Sequence, residues 1–157
     1  MTSPLTLIAG PAALAHLHRH GLRADDVRVV VAASGGTGWF ILKALDQYLY
    51  GDFFRGRRQP LHTLGSSAGA WQLACLACPD PAAAIQRLAD LYSRETYSAR
   101  PSAQEVTAKA RRLVQQVLGP DGARHLAQHP IIRTHILTTR CRGLLAREEQ
   151  GLQLSGL

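Results

Sequence analysis

Two short apolar segments, each leading directly into a loop of small residues and then into a helical pattern, constrain the fold of this chain more than any other feature. The first covers residues 27–33 and is followed by Ser34-Gly35-Gly36-Thr37-Gly38. The second covers residues 61–64 and is followed by Gly65-Ser66-Ser67-Ala68-Gly69. Short apolar runs of this kind are typical of parallel strands, and we predict that residues 27–33 are buried on both faces.

Helical and extended patterns alternate along the rest of the chain. Helices are predicted at residues 11–20, 39–50, 70–77, 82–97 and 102–118, and a third strand at residues 133–139. This order is typical of an α/β fold. We expect residues 1–157 to form one α/β domain, a three-layer α/β/α arrangement with a mainly parallel central sheet and helices on both faces. Because no segment is predicted to cover the third strand, we expect the chain to be the N-terminal portion of a larger domain.

The composition is that of a globular protein with an excess of positive charge. Hydrophobic residues make up 46% of the chain and charged residues 18%, and the formal net charge is +7. An excess of basic over acidic residues is compatible with an anionic partner. A surface that binds nucleic acid, however, needs a basic patch interleaved with aromatic residues. The densest basic run, Arg55, Arg57 and Arg58, lies in a predicted loop, so we predict an ordinary solvated surface and no nucleic-acid partner.

Cysteine usage and hydropathy bear on the cellular compartment. The three cysteines Cys75, Cys78 and Cys141 are an odd number, and the N-terminus lacks the basic and apolar regions of a signal peptide, which favours a reducing compartment. No run approaches the ~18 apolar residues that a transmembrane helix needs. We therefore expect a cytoplasmic protein without a transmembrane segment, with peripheral contact at membranes left open.

The segment from Gly65 to Gly69 fits G-x-S-x-G, the pattern of a nucleophile elbow. In such an elbow a strand turns sharply into a helix, and the central serine, here Ser67, adopts a strained backbone conformation. The residues two before and two after it must be small, because larger side chains would collide where the chain doubles back. The following helix would direct N–H groups toward a developing oxyanion. The alternative is a turn of small residues without chemistry.

The segment from Ser34 to Gly38 is a second candidate loop. A dinucleotide-binding fingerprint requires a third glycine where Ile41 stands, and a phosphate-binding P-loop requires a lysine where Trp39 stands. An oxyanion-binding loop requires only small residues with free N–H groups, so this interpretation remains. Neighbouring parallel strands would bring both loops to one edge of the sheet, as acyl transfer needs.

A strand that ends in a Gly-Gly-x-Gly loop, then a helix, then a strand that enters G-x-S-x-G, resembles the patatin-like phospholipases. The similarity covers residues 27–77, about a third of the chain. It implies a three-layer α/β/α fold, hydrolysis of lipid esters without metal or cofactor, and a Ser–Asp dyad. Ser67 would be the nucleophile, Gly65 and Gly69 would flank the elbow, and the oxyanion hole would be formed by Gly35, Gly36, Gly38 and Ala68.

Two departures from the family pattern concern charged residues. The family's glycine loop usually carries Arg or Lys near its end, whereas here Lys43 lies one helical turn later. The dyad aspartate normally lies in an Asp-Gly motif more than a hundred residues after the serine. Asp121-Gly122-Ala123 matches that motif only 54 residues after Ser67 (121 − 67), so Asp121 is a weak candidate base and a helix-breaking turn is the better interpretation. We expect the dyad aspartate to lie beyond Leu157.

Other reactive side chains favour structural roles. His16 and His20 have the i, i+4 spacing of metal ligands but lack an accompanying carboxylate in the sequence pattern, so we predict a solvated helix face and no metal site. Cys75 and Cys78 have C-x-x-C spacing without a second pair, which favours buried, inert thiols. His125, His129 and His135 are alternative general bases for a Ser–His arrangement, but the family resemblance favours an aspartate. Trp39 and Trp71 follow the two loops closely, where they would either line an acyl-chain pocket or, as we prefer, anchor a helix to the sheet.

The sequence leaves three function classes open. The first is a serine hydrolase acting on a lipid ester or a substrate at a membrane surface. The second is a catalytically inactive truncated or degenerate relative that binds lipid or protein. The third, a nucleotide-binding domain, lacks the residues named above.

Overall fold

The structure is a computed structural model that describes residues 6–33, 35–140 and 142. It is a mixed α/β fold with a three-stranded parallel sheet. The strands are β1 (Val29–Ala32), β2 (Leu61–Gly65) and β3 (Ile132–Ile136). The α-helices are α1 (Pro11–His20), α2 (Lys43–Tyr48), α3 (Ala68–Ala74), α4 (Pro81–Ser93), α5 (Ala103–Leu118) and α6 (Gly122–Gln128).

The two longest helices begin and end at residues suited to those positions. Helix α4 starts with Pro81 after Asp80, whose carboxylate accepts a hydrogen bond from the N–H of Ala83. Helix α5 starts after Ser102, whose hydroxyl accepts from the N–H of Glu105, and it ends at Gly119 with φ of 75°. Polar N-caps, a proline in the first turn and a left-handed glycine after the last turn are standard helix boundaries.

The sheet has the order β1-β2-β3, with every pair parallel. Ala32 pairs with Gly65, and Gly65 pairs with Ile136, so the last residues of the three strands lie side by side. The loops that follow β1 and β2 therefore leave the sheet at the same edge. This confirms the predicted parallel sheet and its three strands, with boundaries shifted by at most three residues.

The prediction that the first strand is buried on both faces is wrong. Val29 is 52% exposed and Val31 is 66% exposed, and they share the open face with His62 and His135. The strands lie in the order β1, β2, β3 across the sheet, so each connection runs in the same direction. Because connections between parallel strands are right-handed, both connecting segments then lie on the same face of the sheet. In the described residues the helices pack on that face alone, so the third layer of the expected fold stays a prediction.

The core lies between the helix-covered face of the sheet and helices α3 to α5. Its fully buried side chains include Leu61, Thr63, Leu73, Ile85 and Leu88. Helix α3 crosses behind all three strands, and α4 packs against both α2 and α5. Among the described residues, the chain after β2 is therefore well buried, because it is enclosed by the sheet on one side and by helices on the other.

Two helical regions differ from the sequence prediction. The expected helix at residues 39–50 comprises a 3-10 helix (Gly36–Leu42), α2, and one π turn (Leu49–Phe53). Helix α6 was not predicted, because its seven residues begin at a glycine directly after the Gly-Pro-Asp turn. Gly122 is buried there against the side chain of Leu118, and the helix packs against both α5 and β3.

Candidate active site

Ser67 lies at a strained turn between β2 and α3. Its backbone has φ of 52° and ψ of −130°, and among the described residues it is the only one other than glycine with positive φ. A positive φ costs a side-chain-bearing residue of order 1–3 kcal/mol and persists only where the surroundings impose it. Ser67 is also exposed to solvent. The geometry is that of a nucleophile elbow, which presents its serine at the end of a strand.

Gly65 and Gly69 occupy positions where no side chain fits. A Cβ on Gly65 would lie 2.7 Å from the Cα of Ala70, and a Cβ on Gly69 would lie 2.4 Å from the carbonyl oxygen of Ala32. The first contact is the collision expected where the chain doubles back. The second shows that the start of α3 rests against the end of β1, so the elbow and the glycine loop meet.

The glycine loop after β1 has two free donors and one that is occupied. The N–H of Gly38 donates to the carbonyl of Gly35 at 2.9 Å and so closes the first turn of a 3-10 helix. Within residues 35–140, no acceptor is bonded to the N–H groups of Gly35, Gly36 or Ala68. Gly36 has φ of 51°, a conformation that suits glycine. Ser34 lies outside the described residues.

No general base accompanies Ser67 in the described part of the chain, where no side chain hydrogen-bonds its hydroxyl. Asp121 lies in the turn between α5 and α6 and pairs with Arg124 at 2.8 Å. Helix α6 lines a pocket together with Ala77 and Cys78. These two residues follow Ser67 in the chain by ten and eleven positions (77 − 67 and 78 − 67). A helical path of that length spans about 15 Å, so the structure does not bring Asp121 to the elbow.

The histidines considered as alternative bases lie away from the elbow. His129 accepts hydrogen bonds from the N–H groups of Ile131 and Ile132 and so shapes the entry into β3. His135 lies on the open face of the sheet, where its Nε2 is 3.0 Å from Nδ1 of His62. His125 borders the pocket next to Cys78. None of the three contacts Ser67.

The N-terminal histidines and the cysteines have structural environments. His16 lies 3.1 Å from the carboxylate of Asp26, and its ring is 5.0 Å from that of His20. Among the described residues, no group of three or more His, Cys, Asp or Glu side chains is arranged to hold a metal ion. Cys75 and Cys78 are buried free thiols, and burial raises the pKa of both. Cys141 lies outside the described residues.

The two tryptophans pack around Tyr92. Trp39 is buried, stacks on Phe40 with ring centroids 4.6 Å apart, and lies 6.4 Å from Tyr92. Trp71 makes an edge-to-face contact with Tyr92 at 5.9 Å. Both residues therefore anchor helices, and Trp39 also lines the cleft described next.

A cleft of about 380 Å³ lies beside the elbow, bounded by β1, the glycine loop, α2 and α3. Its lining includes Gly35, Gly38, Trp39 and the buried polar residues Asp46 and Gln72. Gln72 Nε2 donates to Asp46 Oδ2 at 2.6 Å. Burial raises the pKa of Asp46 to about 6, and the hydrogen bond from Gln72 opposes that shift. The sequence analysis did not single out Asp46, because a lone aspartate on a helix is indistinguishable from a solvated one.

Comparisons with known proteins found no relative of this chain. No family model, no curated protein and no solved structure matches the chain. The fold defines the class of protein as an α/β domain with a parallel sheet, and the strained serine turn is its most distinctive local feature. None of the helices in the described ranges is both long and apolar enough to cross a membrane.

Proposed function

We propose that this chain carries the nucleophile of a serine acyl hydrolase. The observation that supports this most directly is the positive φ of Ser67 between two glycines whose Cβ positions are sterically blocked. Strain of this kind is maintained by the surrounding structure, and it clusters at functional sites. An ordinary strand-to-helix turn would not need a side chain in this conformation.

Within that class, we propose a patatin-like lipid ester hydrolase. Support comes from the order strand, glycine loop, helix, strand and serine elbow, together with the contact between Gly69 and the end of β1. The proposed substrate is a carboxylic ester of a lipid, and no metal or cofactor enters the reaction. The proposed location is the cytoplasm, with substrate taken from a membrane surface.

The proposed mechanism has two steps. A carboxylate, which we place beyond Leu157, takes the proton of Ser67 Oγ as this oxygen attacks the ester carbonyl. The N–H groups of Gly35, Gly36 and Ala68 donate to the oxyanion, and the alcohol leaves with the proton. Water then attacks the acyl-serine, releases the fatty acid and restores the hydroxyl. The N–H of Gly38 already donates to Gly35, so it would contribute only after the loop rearranges.

A Ser–carboxylate pair lacks the well-matched pKa of histidine, so more of the rate must come from the oxyanion donors and from positioning. Removal of one oxyanion donor in other hydrolases costs about 10²–10³ in kcat. The unpartnered hydroxyl of Ser67 in the described residues also supports the second candidate, a binding module without a base.

The test is labelling with a fluorophosphonate probe followed by mass spectrometry, using protein expressed from the complete coding sequence. We expect the adduct on Ser67, none in Ser67→Ala, and an unchanged adduct in the matched variant Ser66→Ala. The chain of residues 1–157 alone should label weakly, because a serine needs a base for activation. Labelling that persists in Ser67→Ala would refute the assignment, and a folded, complete protein that binds lipid but does not label would favour the binding module.

A further inference from the structure

The cleft beside β1 has one polar wall, and that wall is rich in hydrogen-bond acceptors. Asp46, Tyr50 and Gln72 line it, and each is at most 5% exposed. Because Gln72 Nε2 is used by Asp46 Oδ2, the oxygen atoms left over are Asp46 Oδ1, Gln72 Oε1 and the Tyr50 hydroxyl. Among the described residues, none of these three oxygens has a hydrogen-bond partner, and none is sealed from solvent.

The rest of the cleft is apolar. Val31, Trp39, Leu42, Leu45 and Leu73 contribute to its walls, and its volume of about 380 Å³ lies within the range of small-molecule sites. A mainly apolar cleft with a few convergent polar groups is the usual form of a ligand-binding site.

Asp46 has no cationic partner in the described residues. Its only hydrogen bond comes from the neutral amide of Gln72, and no arginine, lysine or histidine lies within ion-pair distance. A buried carboxylate without a counter-charge is costly, which is why such groups are normally paired. The cleft therefore presents an unmet negative charge.

No titratable group on the elements around Asp46 supplies the positive charge that would balance its carboxylate. Tyr50 and Cys75 have raised pKa values because they are buried, so both are neutral at pH 7. On α4, Arg87 donates to the carbonyl of Val117 and Asp90 accepts from Gln86. Strand β1 and the 3-10 helix Gly36–Leu42 carry no titratable residue. The remaining charged side chains nearby are Lys43 on α2 and the exposed Asp52 on the π turn.

We propose that this cleft binds a primary alkylammonium ligand, with its chain against the apolar walls and its –NH₃⁺ group on Asp46. An ammonium group has three N–H donors and no acceptor, which matches three free acceptor oxygens. The hydroxyl group of an alcohol would donate to only one of these oxygens and would leave the negative charge of Asp46 unpaired. A ligand carboxylate would be repelled by Asp46. The cleft borders the proposed oxyanion loop at Gly35, but the ammonium group would bind to Asp46, Tyr50 and Gln72 and not to Ser67, so the proposal goes beyond the hydrolase activity.

The test is isothermal titration calorimetry of the whole chain with octylammonium, octan-1-ol and octanoate at pH 7.5. We expect octylammonium to bind at least about tenfold more tightly than octan-1-ol, because only the cation gains a charge-assisted bond to Asp46. Octanoate should bind weakest. Ser67→Ala should leave all three affinities unchanged, which separates this site from the proposed function.

Two measurements isolate Asp46. In Asp46→Asn, which keeps the side-chain volume, octylammonium should lose at least about tenfold in affinity while octan-1-ol changes by less than about twofold. The matched control Asp52→Asn removes the same charge at an exposed position and should change neither. Lowering the pH to 5 should weaken octylammonium binding to the wild-type chain by about tenfold, because Asp46 becomes mostly protonated while the amine stays charged.

Circular dichroism would show whether Asp46→Asn folds. If it does not, the pH dependence and the comparison of ligands on the wild-type chain still test the proposal. Equal affinity for octan-1-ol and octylammonium, pH-independent octylammonium binding, or full affinity in a folded Asp46→Asn would overturn the proposal. So would the absence of octylammonium binding at millimolar concentration.

Discussion

Gly69 lies so close to Ala32 that a Cβ on the glycine would stand 2.4 Å from the carbonyl oxygen of the alanine. This contact joins the first turn of α3 to the end of β1. It links the two loops that the sequence identified separately, since one follows Ala32 and the other contains Gly69. The glycine is therefore needed for the architecture of the candidate site as well as for the turn.

We expect Gly69→Ala to destabilise the protein. Alanine favours a helix over glycine by about 1 kcal/mol, but the added Cβ would also meet the carbonyl oxygen of Ala33 at 2.6 Å. Overpacking against backbone costs about 1–3 kcal/mol or more, so the clash should win and the free energy of unfolding should fall. Urea denaturation followed by circular dichroism measures this change.

Gly38→Ala is the matched control for that substitution. A Cβ on Gly38 would meet nothing within 4 Å, so the free energy of unfolding should change by less than about 0.5 kcal/mol, as for other surface sites. Equal stability of Gly69→Ala and Gly38→Ala would contradict the close packing of the elbow on β1.

Asp46 should make the stability of the protein depend on pH. Burial raises its pKa from 3.8 to about 6 in the folded state, so between these values the folded protein binds more protons than the unfolded chain. Stability should therefore fall as the pH rises from about 4 to about 6, by up to about 3 kcal/mol. Urea titrations of the wild type and Asp46→Asn at several pH values would show the difference.

In Asp46→Asn this component should be missing, so the variant should gain stability relative to the wild type as the pH rises from about 4 to about 6. A constant difference between the two proteins across pH 4–7 would mean that Asp46 titrates normally. Asp52→Asn, at an exposed position, is the matched control for the aspartate-to-asparagine substitution itself.

Arg57 should contribute more to stability than its neighbours in the basic loop. Its buried guanidinium donates to the carbonyls of Ala24, Val27 and Pro60, and its Nε donates to Gln59 at 2.8 Å. Arg57→Met removes the donor from each of these carbonyls, and among the described residues only that of Ala24 keeps another partner, the N–H of Val27. The substitution should cost about 2–4 kcal/mol by thermal or urea unfolding. The exposed Arg58 offers a matched control, and Arg58→Met should change the free energy of unfolding by less than about 0.5 kcal/mol.

Cys75 and Cys78 should resist alkylation in the folded protein. Burial raises the pKa of both thiols, and Cys75 also donates to the carbonyl of Trp71. Because the thiolate is the reactive form, iodoacetamide at pH 7.5 should modify neither residue until denaturant is added. Peptide mass spectrometry with and without urea tests this, and rapid native alkylation of Cys75 would show that the segment following α3 opens in the folded protein.

The order of the strands and of the longer helices, and the position of the elbow, were predictable from the sequence. Alternating apolar runs and small-residue loops mark elements over short distances, and Gly65 is required by local chain reversal, whereas Gly69 is required by its contact with the end of β1. The register that pairs Ala32 with Gly65 also follows in outline from two parallel strands with loops at the same edge.

Other features depended on tertiary contacts between residues far apart in the chain. The exposed face of β1 results from strands added in one direction, which no local pattern records. Asp46 is buried where Gln72, 26 residues later, packs against it and donates a hydrogen bond to its carboxylate. The sequence by itself therefore determined the elements and the elbow, where the physical cause is steric and local. Only the tertiary structure decided which polar groups lose their water, because desolvation depends on what the folded chain places around them.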